Sequence, residues 1–127
     1  MERKKILITD DDADERRLIK LLLNEFNFEI IEAVDGEEGV SAAQSSHPDL
    51  IIMDHRMPKM TGYEACIAMK QNPAVRDIPV IFLSAKGQES EVQSGMDAGA
   101  LDYILKPFAP EILLQRLKEI LEKINTK

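Results

Sequence analysis

The chain has few of the features that mark secreted or membrane proteins. It contains one cysteine, Cys66, so an internal disulfide is impossible, and a lone thiol fits a reducing cytoplasm. No apolar run approaches the roughly 18 residues of a membrane span. Residues 1–5 lead into a predicted strand without the apolar core of a signal peptide. These absences, together with the lack of a repeat or linker, predict a single cytoplasmic domain over residues 1–127 that has no membrane partner.

Positive charge is also scarce. The 16 lysines and arginines are outnumbered by 23 aspartates and glutamates, which gives a net charge of −7. This balance argues against nucleic acid as a direct partner, because phosphate backbones are bound chiefly by Lys and Arg. Part of the excess could be a cluster of carboxylates that binds a cation. The hydrophobic share of 44% suits a globular domain with a core of its own.

The most informative stretch is the apolar run 50–53, which ends at Asp54. Such a run is typical of a strand that is buried on both faces in a parallel sheet. The loop behind it contains Pro58 and Gly62, which interrupt regular structure. An open parallel sheet carries its functional residues just beyond the carboxyl ends of its strands. We therefore expect Asp54 to lie at the centre of the functional site.

Predicted strands and helices alternate along the whole chain. The strands are predicted at 6–9, 28–33, 50–53, 79–83 and 101–105, and the helices at 13–26, 37–45, 63–71, 88–98 and 109–124. Alternation of this kind indicates an α/β fold with a doubly wound parallel sheet and right-handed crossovers. The expected strand order is the flavodoxin-like 2-1-3-4-5, in which strands 1 and 3 are neighbours at the switch point.

The spacing of apolar residues predicts the buried faces of the first and last helices. Asp12 is the expected N-cap of the first helix, and Glu15 could close a capping box with it. The predicted buried stripe of the first helix consists of Leu18, Leu21, Leu22 and Phe26. The predicted buried face of the last helix consists of Ile112, Leu113, Leu117, Ile120, Leu121 and Ile124.

Side chains that could bind a metal or take part in a reaction follow four of the five predicted strands. They are Asp10, Asp11 and Asp12 after strand 1, Asp54 after strand 3, Ser84 at the end of strand 4, and Lys106 after strand 5. Because the carboxyl ends of parallel strands share one edge of the sheet, we expect these groups to meet. Each alone could be an ordinary loop residue, and Asp12 is expected to serve mainly as the N-cap. Their shared position makes a purely structural interpretation of the whole set unconvincing.

Carboxylates that converge in this way need a positive partner. A pair about 5 Å apart at an effective dielectric of about 20 repels by about 3 kcal/mol. A proton or a cation must offset this repulsion, and a partly open site of oxygen ligands suits Mg²⁺. Lys106 and Ser84 could bind the oxygens of a phosphoryl group beside the metal. Asp54 could then act as a nucleophile toward phosphorus.

These residues resemble the receiver domain of two-component response regulators over nearly the whole chain. The resemblance rests on residues 6–12, on 54–58 with Gly62, on 83–85 and on 103–108. It implies that Asp54 accepts a phosphoryl group from a sensor histidine kinase or a phosphotransfer protein. It also implies an Mg²⁺ site in which Asp11 binds directly, Asp10 binds largely through water, and Asp54 and the main-chain carbonyl of Arg56 complete the protein ligands.

The resemblance assigns further roles around the phosphoryl group. Ser84 and Lys106 would hold its oxygens, and a cis peptide between Lys106 and Pro107 would aim the lysine into the site. Tyr103 would be the switch aromatic, which turns inward when Ser84 moves toward the phosphate. A downstream protein target is expected to bind the face formed by the fourth helix, the fifth strand and the fifth helix.

Two positions depart from the best-known chemotaxis member of that family. Arg56 and Lys86 stand where that member has an amide and an acid. A long side chain at either position can obstruct the water that hydrolyses an acyl phosphate. The lifetime of the phosphorylated state therefore stays open at this point, with a long lifetime expected.

Three other functions share parts of this pattern. A haloacid-dehalogenase-like phosphatase also uses Asp, Lys and Mg²⁺, but it needs a second acid two residues after the nucleophile, where this chain has Arg56. A flavin-binding module would need a Ser/Thr/Gly-rich loop in place of the aspartates after strand 1. A degenerate receiver that only binds partners would lack an acceptor or metal residue, and none is missing. We therefore expect a signalling protein that catalyses only its own phosphorylation and dephosphorylation.

Overall fold

The architecture is an alternating series of five strands and five helices. A computed structural model describes residues 4–24, 28–54, 57, 60–84, 89–105 and 109–125. The strands are β1 (Lys4–Thr9), β2 (Phe28–Ala33), β3 (Leu50–Met53), β4 (Val80–Ser84) and β5 (Asp102–Leu105). The helices are α1 (Ala13–Leu23), α2 (Gly36–Ser46), α3 (Gly62–Lys70), α4 (Glu89–Asp97) and α5 (Pro110–Asn125). These bounds lie within two residues of the predicted ones, except that α1 ends at Leu23 instead of 26.

The five strands form one parallel sheet in the order β2-β1-β3-β4-β5. The predicted fold class and the flavodoxin-like strand order are therefore confirmed. In the register of the central strands, Thr9 at the end of β1 pairs with both Ala33 of β2 and Met53 of β3. The next residues along the chain, Asp10 and Asp54, consequently leave the sheet side by side at the same edge.

Both faces of the sheet carry a hydrophobic core. Successive strand residues point to opposite faces, so Leu7 lies in one core with residues of α2 and α3, whereas Ile6 and Ile8 lie in the other core with residues of α1 and α5. All four residues of β3 are buried, as expected for a central parallel strand. Cys66 lies on the buried face of α3, where its Sγ donates to the carbonyl of Ala98, and burial raises the pKa of its thiol.

The buried face of α1 differs from the predicted stripe. Ile19 and Leu23 are buried, whereas Leu18 and Leu21 are 50% and 62% exposed. Leu22 is partly buried, and Phe26 lies outside the described residues. Leucines and one isoleucine occupy five of the six positions from 18 to 23, so their spacing fits more than one stripe. Packing against the sheet and α5 selects the face with Ile19 and Leu23.

The predicted face of α5 is correct in four of its positions. Leu113, Leu117, Ile120 and Leu121 are buried, whereas Ile112 is 50% exposed in the first turn of the helix. The side chain of Ile124 lies outside the described part of the chain. None of the described helices combines the length and the apolar character that crossing a membrane requires.

Candidate functional site

Asp10 is a buried carboxylate that follows β1 directly and has only 2% of its surface exposed. Its N–H donates to the carbonyl of Ala33 in β2 at 3.1 Å. Its Oδ1 accepts from the N–H of Asp12 at 2.9 Å, and its main-chain carbonyl accepts from the guanidinium of Arg16 at 2.7 Å. The backbone and the side chain of Asp10 are therefore held by hydrogen bonds at the edge of the sheet.

Asp54 is placed by β3 and by the glycine that starts α3. Its N–H donates to the carbonyl of Thr9 at 2.9 Å, and its side chain is partly buried. A Cβ atom at Gly62 would lie only 2.1 Å from the carbonyl oxygen of Asp54. A residue without a side chain is thus required for the start of α3 to approach the end of β3 this closely.

Three carboxylates meet at this edge. The nearest carboxylate oxygens of Asp10, Glu15 and Asp54 all lie within 4.8 Å of one another. The prediction that Asp10 and Asp54 come together is correct. Asp11, the predicted direct metal ligand, is exposed and is outside this group of described residues.

Glu15 was expected only as a possible capping partner of Asp12. Asp12 does cap α1, since its Oδ1 accepts from the N–H groups of Asp14 at 2.9 Å and Glu15 at 3.4 Å. The cap places Glu15 in the first helical turn, next to the end of β1. The sequence did contain a signal for this third carboxylate. Glu15 stands three positions after the N-cap of a helix that starts at the edge of the sheet where the functional residues lie.

The described residues fit a magnesium site. The three side chains offer oxygen ligands, which hard cations such as Mg²⁺ prefer to nitrogen or sulfur. Their mutual repulsion is relieved by a bound cation. The partial exposure of Glu15 and Asp54 leaves one side of the group open, as a metal that retains several water ligands requires.

A second set of charged residues joins α1 to β2. Glu32 accepts from Arg16 and from Lys20, each at 3.1 Å. Partial burial raises the pKa of Glu32, but the hydrogen bonds and charges of Lys20 and Arg16 outweigh it and hold the pKa below its ordinary value. Arg16 therefore contacts both the Asp10 backbone and an ionised carboxylate.

The remaining predicted residues are described only in part. Ser84 is the last residue of β4 and pairs with Leu105 of β5, so its backbone lies at the same edge as Asp54. The side chain of Ser84 is outside the described part of the chain. Four further predicted positions lie outside the described residues, namely Arg56, Lys86, Lys106 and Pro107. The predicted cis peptide between Lys106 and Pro107 therefore lies outside them as well.

Tyr103 is a residue of β5, and its ring lies between β4 and α4. Its ring centroid is 5.6 Å from that of Phe82, with the two planes tilted by 37°. A Cβ atom at Gly95 of α4 would lie 3.0 Å from the Tyr103 ring. The ring is partly buried and packs against the bare backbone of α4. Tyr103 is therefore in contact with the strand that carries Ser84 and with the neighbouring helix.

Comparison with known proteins agrees with this architecture. The family model described as "Response regulator receiver domain" matches residues 6–118. The chain is 37% identical over 125 residues to "Probable transcriptional regulator ycf27" of Porphyridium aerugineum, an alignment that covers 98% of this chain and 51% of that protein. It is 34% identical to the phosphate regulon transcriptional regulatory protein PhoB of Escherichia coli, over 96% of this chain and 53% of that protein.

Two solved structures have the same fold. A response regulator from Chloroflexus aurantiacus superposes with a TM-score of 0.90 at 35% identity, over 95% of this chain and 99% of that one. The chemotaxis protein CheY4 of Vibrio cholerae superposes with a TM-score of 0.87 at 32% identity, over 94% and 99% of the two chains. The chain spans about half the length of the two regulators matched by sequence. It belongs to the family of response regulator receiver domains, which are signalling proteins and not classical enzymes.

Proposed function

We propose that this chain is a phosphorylation-dependent switch of a two-component system and that Asp54 is its phosphoryl acceptor. The observation that carries the proposal is the meeting of Asp54 with Asp10 and Glu15 at the switch point of a receiver-domain sheet. Asp54 is the carboxylate of this group that follows the central strand β3 and is partly exposed. Asp10 is buried and is therefore less accessible to a phosphoryl donor.

The chemistry is a transfer between two nucleophiles. A carboxylate oxygen of Asp54 forms a bond to phosphorus while the bond from phosphorus to the donor's histidine nitrogen breaks. Asp10, Asp11 and Asp54, with the main-chain carbonyl of Arg56, would hold Mg²⁺, which would supply positive charge toward the phosphoryl oxygens. Ser84 and Lys106 hold the remaining oxygens in this proposal.

In this proposal, the conformational change that follows phosphorylation reaches the outer surface through β5 and its neighbours. Tyr103 contacts β4 on one side and α4 on the other, so movement at the end of β4 can reach the outer surface. Large apolar side chains on or beside α4, β5 and α5 are 39–50% exposed: Met96, Leu101, Leu105 and Ile112. Such a surface suits a downstream protein target, whose affinity changes when phosphorylation shifts the equilibrium between two conformations.

The proposed partners are proteins of the cytoplasm. A sensor histidine kinase or a phosphotransfer protein donates the phosphoryl group, and the target binds the α4–β5–α5 face. Direct contact with nucleic acid or with a membrane is not part of the proposal, in keeping with the net charge of −7. The relatives named as transcriptional regulators are about twice as long as the region that they share with this chain.

Phosphorylation with a small donor tests the proposal. Incubation with phosphoramidate and Mg²⁺ should add one phosphoryl group, which intact-mass spectrometry detects. Asp54→Asn should not be labelled, whereas Asp77→Asn, a matched change at an exposed loop aspartate, should be labelled like the wild type. Equal labelling of Asp54→Asn and the wild type would contradict the assignment of the acceptor.

A further inference from the structure

Arg16 is a basic residue of α1 that contacts the backbone beside the group of Asp10, Glu15 and Asp54. Its side chain is 15% exposed. Nη1 donates to the main-chain carbonyl of Asp10 at 2.7 Å, and Nε donates to Oε1 of Glu32 at 3.1 Å. The guanidinium is planar and presents its donors in a fixed arrangement. One side chain of α1 therefore ties the loop after β1 to the neighbouring strand β2.

The carbonyl that Arg16 holds belongs to the peptide group between Asp10 and Asp11. A peptide group is planar, so fixing its carbonyl also fixes the N–H of Asp11 and the direction in which the chain continues. On the other side of Asp10, the N–H is held by the carbonyl of Ala33 at 3.1 Å. Both peptide groups that flank Asp10 are thus tied to β2, one directly and one through Arg16 and Glu32.

We propose that Arg16 is a positioning residue for the magnesium site and that Glu32 orients Arg16. The inference rests on the proposed function, since it concerns the backbone from which the Asp10 and Asp11 side chains project. Without the guanidinium, the peptide group between these residues would lose the hydrogen bond that sets its orientation. The carboxylates would then need to be ordered when the cation binds, which weakens binding.

A role that depended on charge alone would have the opposite effect. Arg16 is a cation close to the acidic group, so it repels Mg²⁺ through Coulomb's law. Removing the charge would then tighten Mg²⁺ binding. A positioning role predicts weaker binding instead, so the sign of the change separates the two explanations.

The chain provides two matched controls on the same helix. Lys20 donates from Nζ to Oε2 of Glu32 at 3.1 Å, so it carries the same charge and shares one partner with Arg16. Arg17 is the neighbouring residue, with the same charge on an exposed side chain. The hydrogen bond to the Asp10 carbonyl belongs to Arg16. Lys20→Met and Arg17→Met therefore report the effect of charge without the loss of that bond.

The experiment is an Mg²⁺ titration of the full chain, followed by amide NMR shifts, on the wild type and on variants. Arg16→Met should raise the dissociation constant of Mg²⁺ about tenfold, in the range observed when groups that orient metal ligands are removed. Glu32→Gln should raise it by a smaller factor, because a neutral amide orients the guanidinium less strongly. Lys20→Met and Arg17→Met should leave it unchanged or lower it.

Circular dichroism melts establish that each variant is folded under the titration conditions. If Arg16→Met does not fold, Arg16→Lys takes its place, since one ammonium cannot reproduce the planar guanidinium bridge, and it should also weaken binding. An unchanged or lower dissociation constant in the folded Arg16 variant would overturn the inference while leaving the proposed function intact. A wild-type chain that shows no Mg²⁺-dependent shifts would overturn the proposed function itself.

Discussion

Asp10 at the carboxyl end of β1 and the ring of Tyr103 in β5 have different kinds of contact. At β1, the N–H, the carbonyl and the carboxylate of Asp10 all take part in hydrogen bonds of 2.7–3.1 Å. At β5, the Tyr103 ring packs against the ring of Phe82 and the bare backbone of Gly95. Hydrogen bonds are directional, whereas apolar contacts tolerate sliding and rotation.

This difference matches the tasks that we propose for the two regions. A metal site has to present its ligands before the cation arrives, because ordering them on binding reduces affinity. A switch has to adopt two arrangements of similar free energy. The structure thus pairs an acidic residue held by hydrogen bonds with an aromatic ring that packs against a second ring and a glycine.

The largest effect is expected at Gly62. Gly62→Ala would bring a Cβ atom to 2.1 Å from the carbonyl oxygen of Asp54, a backbone atom that cannot move without displacing the end of β3. We expect the free energy of unfolding to fall by at least about 3 kcal/mol, the upper end for overpacked sites. Urea denaturation measures it. A loss below about 1 kcal/mol would mean that the end of β3 yields to the added methyl group.

The next effect is the stabilisation of the site by Mg²⁺. At a free concentration of 100 times the dissociation constant, a cation that binds only the folded state adds about 2.7 kcal/mol. Asp11→Ala should lose most of this gain, although without metal it should melt no lower than the wild type, because one repelling charge is removed. Thermal melts with and without Mg²⁺ measure both quantities.

Asp14→Ala is the matched control, since Asp14 is an exposed acid in the first turn of α1. It should keep the full Mg²⁺-dependent gain. If Asp11→Ala kept it as well, the site would consist of Asp10, Glu15 and Asp54 without the exposed aspartate.

Much of this arrangement could be predicted from the sequence, for a physical reason. Strand ends follow from the alternation of strands and helices, and strand order then brings Asp10 and Asp54 together. The buried face of α1 could not be predicted in the same way, because the apolar residues from 18 to 23 fit several stripes. Ile19 and Leu23 are selected only by packing against the sheet and α5.

The role of Glu15 was missed for a related reason. A first-turn acid after an aspartate N-cap fits a capping box, which is a local pattern. Its approach to Asp54 depends on the angle between α1 and β3, a tertiary property that local spacing does not contain. Likewise, the hydrogen bond from Arg16 to the Asp10 carbonyl involves a backbone atom, which carries no signature in the sequence.

A smaller effect, and a stabilising one, is expected at Thr9. Thr9 is fully buried, and its hydroxyl has no hydrogen-bond partner among the described residues. The Thr9 hydroxyl thus differs from the polar groups of Asp10, which are hydrogen-bonded at the end of β1. Thr9→Val removes this hydroxyl at similar volume, and we expect a gain of about 1 kcal/mol in the free energy of unfolding. A loss of stability in urea denaturation would reveal that the hydroxyl does have a partner.

The smallest net effect is expected at Gly95, the counterpart of Gly62 in the β5 region. A Cβ atom there would lie 3.0 Å from the Tyr103 ring and 3.1 Å from the Phe82 ring, so both side chains must shift slightly to accommodate it. Alanine in a helix interior is favoured over glycine by about 1 kcal/mol, so Gly95→Ala should change stability little while displacing the ring. In a Tyr103→Leu background, the same substitution should be more favourable, because only the contact with the Phe82 ring remains. Tyr63→Phe leaves Tyr103 as the only tyrosine in a chain without tryptophan, so quenching of tyrosine fluorescence by acrylamide reports the displacement. Equal gains in both backgrounds, with unchanged quenching, would show that α4 does not restrain the Tyr103 ring.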